Sequence, residues 1–242
     1  MADSKSTDEQ ELDADGLIIQ TWKCRILIVL PPDGFGDQIL RYIRSSLHNI
    51  AVGTFAVSSQ SEELIKGRLQ DEFLIDGPLA DASMDDFAGL VICGNEGQNP
   101  LATDPKAIEL IKAADTAGKV ICGWGNSLDA FTKAGIVNGK RLTGPEDLAA
   151  AARAAGAKYS GREVASNKNL LTARDESSGM RLGQLLVEHI RISEMEDRQA
   201  QSLAGTDSGR FRRRALLGLG VLVGLAVLAK VTIDLFGSLH AS

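Results

Sequence analysis

The chain is 242 residues long, carries a net charge of −6, and is 44% hydrophobic but only 5% aromatic. That size suits one moderate domain with appendages, and the acidic balance argues against nucleic-acid binding. Three cysteines (Cys24, Cys93 and Cys122) form no CxxC or Cys/His cluster, so neither a zinc site nor a disulfide framework is indicated, and buried reduced thiols are expected.

Residues 1–16 hold six carboxylates and one lysine with almost nothing to bury. They read as a disordered acidic tail, and lacking a basic start and an apolar run they do not read as a signal peptide. The body, residues 17–191, alternates strand-like and helix-like segments. Residues 23–30 are a nearly continuous apolar run, as a central parallel strand requires. After a turn, residues 37–49 place Ile39, Leu40, Ile43 and Leu47 on one helical face. Residues 52–57 read as a second strand, 61–72 as a short helix and 73–75 as a short strand. Residues 89–93 are another buried strand, and 104–117 a helix ended by Gly118. A further strand at 119–124 precedes a helix near 127–133. Residues 145–154 read as helical, 163–165 and 169–173 as a hairpin, and 180–191 as an amphipathic closing helix. No internal repeat is visible. The alternation predicts an α/β fold, a flavodoxin-like three-layer sandwich with a mostly parallel sheet and its site at the carboxyl ends of the strands.

Residues 192–214 are polar and end in RFRRR, which runs straight into ALLGLGVLVGLAVLA. Fifteen uncharged residues rise about 22 Å as a helix, but 215–236 would rise about 33 Å, enough for a hydrocarbon core of about 30 Å. Arg210, Arg212, Arg213 and Arg214 precede this stretch, so the positive-inside rule places 1–214 in the cytoplasm and 237–242 beyond the membrane. Lys230 would snorkel toward headgroups or pair with Asp234, one helical turn on. Gly220 and Gly224 form a GxxxG at which a second helix could pack. A single-pass, carboxyl-terminally anchored protein is therefore expected, with membrane lipid as one partner. The arginine cluster beside such a span suits lipid rather than nucleic acid.

DPKAIELIKAADTAGKVICGWGNSLDAFTKAGIVNGKRLTG, followed by AAGAKYSGREVASNKNLLTARD, resembles the DJ-1/PfpI family of the class I glutamine-amidotransferase-like superfamily, and MDDFAGLVICGN resembles the stretch leading to that family's Gly-Gly loop. The likeness spans about residues 23–191. It implies a cysteine nucleophile on the turn between the strand at 119–124 and the next helix. Counting back from Ala134 and Gly135 puts that position at Gly125, with Cys122 inside the strand as a core residue. The residue after the nucleophile is Asn126. The acidic residue that tunes the thiol falls at or near Gly34, a histidine found in some members falls near Gly144, and the Gly-Gly of the oxyanion pocket is Gly94-Asn95. The resemblance also implies a homodimer.

Thiol catalysis needs a thiolate and a group to stabilise or protonate it. Glycine offers neither, and His48, His189 and His240 all lie far from the elbow in sequence. The elbow Gly123, Gly125, Asn126 and Ser127 is therefore degenerate, with Ser127 the one substitute nucleophile to weigh, and no catalytic residue, metal or cofactor is expected. The turn Asp33-Gly34-Phe35-Gly36-Asp37 opens a helix, as phosphate sites do. Its GxGxx run ends in Ile39, however, and the two aspartates repel an anion, so Asp37 reads as a helix cap. A surviving cleft would draw on Asp33, Gly34, Asp37, Gly94, Asn95, Asn126 and Ser127. The favoured expectation is an inactive module serving as an interaction or scaffold subunit with other transmembrane chains. The alternative is a membrane-tethered enzyme or small-molecule sensor that uses a remodelled cleft.

Overall fold

The structure is a computed structural model that describes residues 22–205 apart from 61, 62 and 96. The predicted strand at the start is β1 (Cys24–Leu30), followed by α1 (Asp37–His48) and β2 (Val52–Ser58). The next segment differs from expectation: its described part, 63–72, is not helical, although the short strand expected at 73–75 is present. β3 (Leu64–Lys66) and β4 (Glu72–Leu74) form an antiparallel hairpin instead. Its burial alternates with period two, Ile65 inward and Leu64 and Lys66 outward, and Gln70 turns the chain at φ 65°. β5 (Gly77–Pro78) and β6 (Gly89–Ile92) come next.

α2 (Pro105–Thr116) starts at Asp104, whose carboxylate accepts from the Lys106 and Ala107 N–H groups, and ends before Gly118 at φ 67°. Then come β7 (Val120–Trp124), α3 (Ser127–Lys133) and β8 (Arg141–Leu142). The segment read as one helix at 145–154 divides into a single 3-10 turn, Glu146–Leu148, and α4 (Ala149–Ala154). β9 (Lys158–Tyr159), β10 (Val164–Asn167) and β11 (Leu170–Ala173) precede α5 (Gly179–Gly205).

The main sheet has seven strands in the order β10-β11-β7-β6-β1-β2-β5, and every pairing is parallel except β10 with β11. β1 shows why a continuous apolar run marks a central strand. Leu27 and Val29 face a core completed by Leu110 and Ile111 of α2 and Phe131 of α3. Ile26, Ile28 and Leu30 face the opposite core, completed by Ile39 and Ile43 of α1 and Leu182 and Leu186 of α5. Helices on both faces of a parallel sheet make the flavodoxin-like three-layer sandwich.

Arg191 closes one compact unit and Ile192 begins a second. Of the second, residues 192–205 are described and are helical, where the sequence reading placed a polar linker. Strong helix formers such as Glu, Met, Gln and Ala fill this stretch, with no glycine before Gly205. Among the described residues no helix is long and apolar enough to cross a membrane. The expected anchor, including Arg210, Arg212, Arg213, Arg214, Gly220, Gly224 and Lys230, lies outside the described residues, as do the acidic tail and His240.

Candidate functional site

Because β1, β6, β7 and β11 run parallel, their carboxyl ends share one edge. There, Gly94, Asn95 and Gly97 after β6, Trp124, Gly125 and Asn126 at the end of β7, and Arg174, Asp175 and Glu176 after β11 surround an open cleft of about 260 Å³. Pro145 and Asp147 complete its wall. Of the expected cleft residues, Gly94, Asn95 and Asn126 line it. Trp124, Gly97, Pro145, Asp147, Arg174, Asp175 and Glu176 were not foreseen, although Arg174 and Asp175 directly follow a parallel strand, the place where such folds put their sites.

The apex of the β7–α3 turn is Gly125, at φ 56°. Its N–H donates to the Ala173 carbonyl at 3.1 Å, and its own carbonyl accepts from Leu128 at 3.3 Å. A side chain at this position would meet nothing within 4 Å. Two residues earlier the packing is tight: a Cβ on Gly123 would lie 2.5 Å from Ser127 Oγ and 2.6 Å from the Phe131 ring. α3 therefore rests directly on β7. Ser127, 1% exposed, is turned into that contact and is outside the cleft lining.

Asn126 faces the loop after β6. Its Oδ1 accepts from the Asn95 N–H at 2.9 Å. Its Nδ2 donates to Asn95 Oδ1 at 2.7 Å and to the Gly97 carbonyl at 2.8 Å.

The charged rim is largely self-paired. Arg174 Nε donates to Asp175 Oδ2 at 2.9 Å. The Ser177 hydroxyl, more than Arg174, holds the Asp175 carboxyl below the usual carboxylate range. Glu176 lies across Gly36, where a Cβ would come within 2.6 Å of it, and receives Arg68 Nη2 at 2.8 Å and Nε at 3.3 Å. Arg68 sits in the hairpin turn, so the hairpin is tied to the cleft wall.

The β1 side departs from expectation. Asp33 is exposed and outside the cleft lining, its backbone bridged to Lys66. Gly34, at φ 66°, is also outside the lining, and a Cβ there would lie 4.0 Å from the Asn95 Cβ. Asp37 does not cap α1 through its side chain; Gly36 holds the N-cap position. The Asp37 carboxylate is 2% exposed and accepts from the Leu69 N–H of the hairpin turn at 2.7 Å. It is a fastener for the hairpin rather than a cleft ligand.

Cys122 lies within β7, fully buried, and burial pushes its thiol far above the ordinary range. Cys93, also fully buried, is pushed up by burial first and by its neighbour Cys122 second. His48 stacks on Trp22 with ring centroids 4.9 Å apart, and burial, then Arg44, lowers its pKa. His189 meets Ser166 at 3.2 Å. Neither ring lines the cleft. At Gly144 a Cβ would lie 2.5 Å from Leu128 Cδ2, so a side chain there would require Leu128 to shift. Among the described residues no three His, Cys, Asp or Glu side chains are grouped so as to hold a metal ion.

Known proteins share this arrangement of elements. A ThiJ/PfpI domain protein from Brachyspira murdochii superposes with a TM-score of 0.66 at 20% identity, covering 69% of this chain and 96% of that one. Drosophila melanogaster DJ-1beta superposes with a TM-score of 0.64 at 20% identity, covering 75% and 97%. In sequence, an uncharacterised protein of Methanocaldococcus jannaschii is 29% identical over 154 residues, covering 62% of this chain and 74% of its own length. The DJ-1/PfpI family model matches residues 24–189. The chain belongs to the DJ-1/PfpI family.

Proposed function

We propose that this protein is a membrane-anchored DJ-1/PfpI module whose cleft carries no thiol chemistry, and that it works as an interaction or scaffold subunit of a membrane protein complex. The observation that carries this reading is Gly125: the position at which the resemblance puts the nucleophile has no side chain, while the positive-φ turn around it is kept. Cys122 does not replace it, because a thiol buried within a strand and held protonated is a poor nucleophile. In this reading residues 1–16 are a tail, 192–214 a stalk with a basic end, and 215–236 a cytoplasm-to-membrane anchor. The aliphatic run after RFRRR supports the anchor.

Solubilisation in mild detergent followed by affinity purification of the full chain tests the proposal. The expected result is recovery from the membrane fraction, resistant to high-salt washing, with a stoichiometric partner chain. A lone protein released by salt would overturn it.

One observation favours a second reading, a small-molecule sensor. The cleft remains open at about 260 Å³ rather than filled. Saturable movement of the Gly125 and Arg174 resonances by a metabolite, without turnover, is the expected sign of that role.

A further inference from the structure

We propose that Asn126 is an internal occupant of the cleft, its carboxamide oxygen standing where a ligand's carbonyl oxygen would be held and withholding the Asn95 backbone N–H from any ligand. The inference rests on reading the cleft as a binding site.

A primary carboxamide has two N–H donors and an accepting oxygen. In Asn126 each of these groups is engaged: Oδ1 by the Asn95 N–H at 2.9 Å, Nδ2 by Asn95 Oδ1 at 2.7 Å and by the Gly97 carbonyl at 2.8 Å. The 2.9 Å separation is within the range at which a fixed backbone donor holds a ligand oxygen or a developing oxyanion. Asn126 is therefore not a free ligand-binding group. The loop is also held from its other side, because Phe35 bridges Asn95. Removing the carboxamide thus leaves Asn95 in place with its N–H open to the cleft. The space vacated is that of the side chain itself, whose small-molecule equivalent is acetamide.

The test is backbone amide hydrogen exchange on the full chain in detergent, with and without acetamide. In Asn126→Ala the Asn95 amide exchanges at least tenfold faster, β6 and β7 are unchanged, and acetamide restores the protection. Asn126→Asp keeps an accepting oxygen but offers no donor to Asn95 Oδ1 and the Gly97 carbonyl, so the Asn95 amide is protected more than in Asn126→Ala and less than in the wild type. In the wild type acetamide has no effect at Asn95. The proposal is overturned if Asn95 exchange is the same in Asn126→Ala, or if β6 and β7 loosen with it. It also falls if acetamide fails to protect the Ala variant, or changes the wild type equally. A metabolite that moves Gly125 in the wild type would leave the binding-cleft reading standing after such a failure. If no small molecule perturbs Gly125 in either form, that reading falls as well.

Discussion

A Cβ on Gly94 would lie 2.3 Å from the carbonyl oxygen of Trp124, inside any tolerable contact. The loop after β6 thus lies directly against the end of β7, and the cleft floor depends on the absence of one methyl group. The obstructing atom is backbone, so it cannot rotate away. Gly94→Ala should destabilise the domain by about 1–3 kcal/mol, as overpacking does. Urea denaturation would show a lower midpoint, and the Asn95 amide would lose protection. An unchanged midpoint would contradict the contact.

Gly125 presents the opposite case, since its Cβ direction is empty within 4 Å. Gly125→Cys should fold, at a backbone cost of about 1–2 kcal/mol for a non-glycine residue at positive φ. The new thiol should react with a disulfide reagent in the native state, while the buried Cys93 and Cys122 react only on unfolding. Among the described residues no histidine lines the cleft; Arg174 and the amino terminus of α3 favour a thiolate at this position, whereas Asp147, Asp175 and Glu176 oppose it, and Asp175 already pairs with Arg174. With these influences opposed, alkylation should reach half its maximal rate near the ordinary thiol value of about pH 8.5. A midpoint two pH units lower would show that Arg174 and the start of α3 outweigh the carboxylates.

Asp37 fastens the β3–β4 hairpin through one hydrogen bond from Leu69. Asp37→Ala leaves a backbone donor without its acceptor, which costs about 1–3 kcal/mol. The loss should fall on the hairpin, read as faster exchange of the Leu69 amide, with the β1–β6 ladder unaffected. Equal loosening of both would mean that Asp37 supports the sheet instead.

Asp175 supplies a pH dependence. The Ser177 hydroxyl, then Arg174, holds its folded-state pKa below that of the unfolded chain. A depressed carboxyl stabilises the fold at pH above the unfolded value of about 3.9, and that contribution is lost as pH falls through the folded value. Asp175→Asn should lower the thermal midpoint at pH 7 by an amount worth under about 1 kcal/mol, because the pair is partly exposed. It should also flatten the wild-type decline below about pH 4. A parallel decline in both proteins would show that other carboxylates govern acid unfolding.

Much of the cleft was legible in residue order because a parallel sheet puts consecutive strand ends on one edge. Gly94 and Asn95 follow β6 after one intervening residue, Gly125 directly follows β7, and the φ of 56° at Gly125 is what a sharp strand-to-helix turn demands. Asp37 was misread because its place at the start of a helix is a capping signal. The hairpin that claims its carboxylate is contributed by residues 64–74, where the sequence reads as a helix up to 72 and as a strand only at 73–75. Three-residue strands are too short to show their period against a sequence of helix-compatible residues. Ser127 follows the elbow and so has a nucleophile's place in the sequence, yet the missing side chain of Gly123 lets its hydroxyl pack against β7.

What the residues determined alone was whatever depends on neighbours in the chain. Apolar runs made central strands, Asp104 and Gly118 bounded α2, and the order of elements carried the family likeness. Tertiary structure alone decided which polar groups meet. The clasp between Asn126 and Asn95 joins positions 31 residues apart, and the bond between Arg68 and Glu176 joins positions 108 apart. Local periodicity reports which face of an element is buried. It holds no information about which hydrogen-bonding partner a turn will find once separate strands are laid side by side.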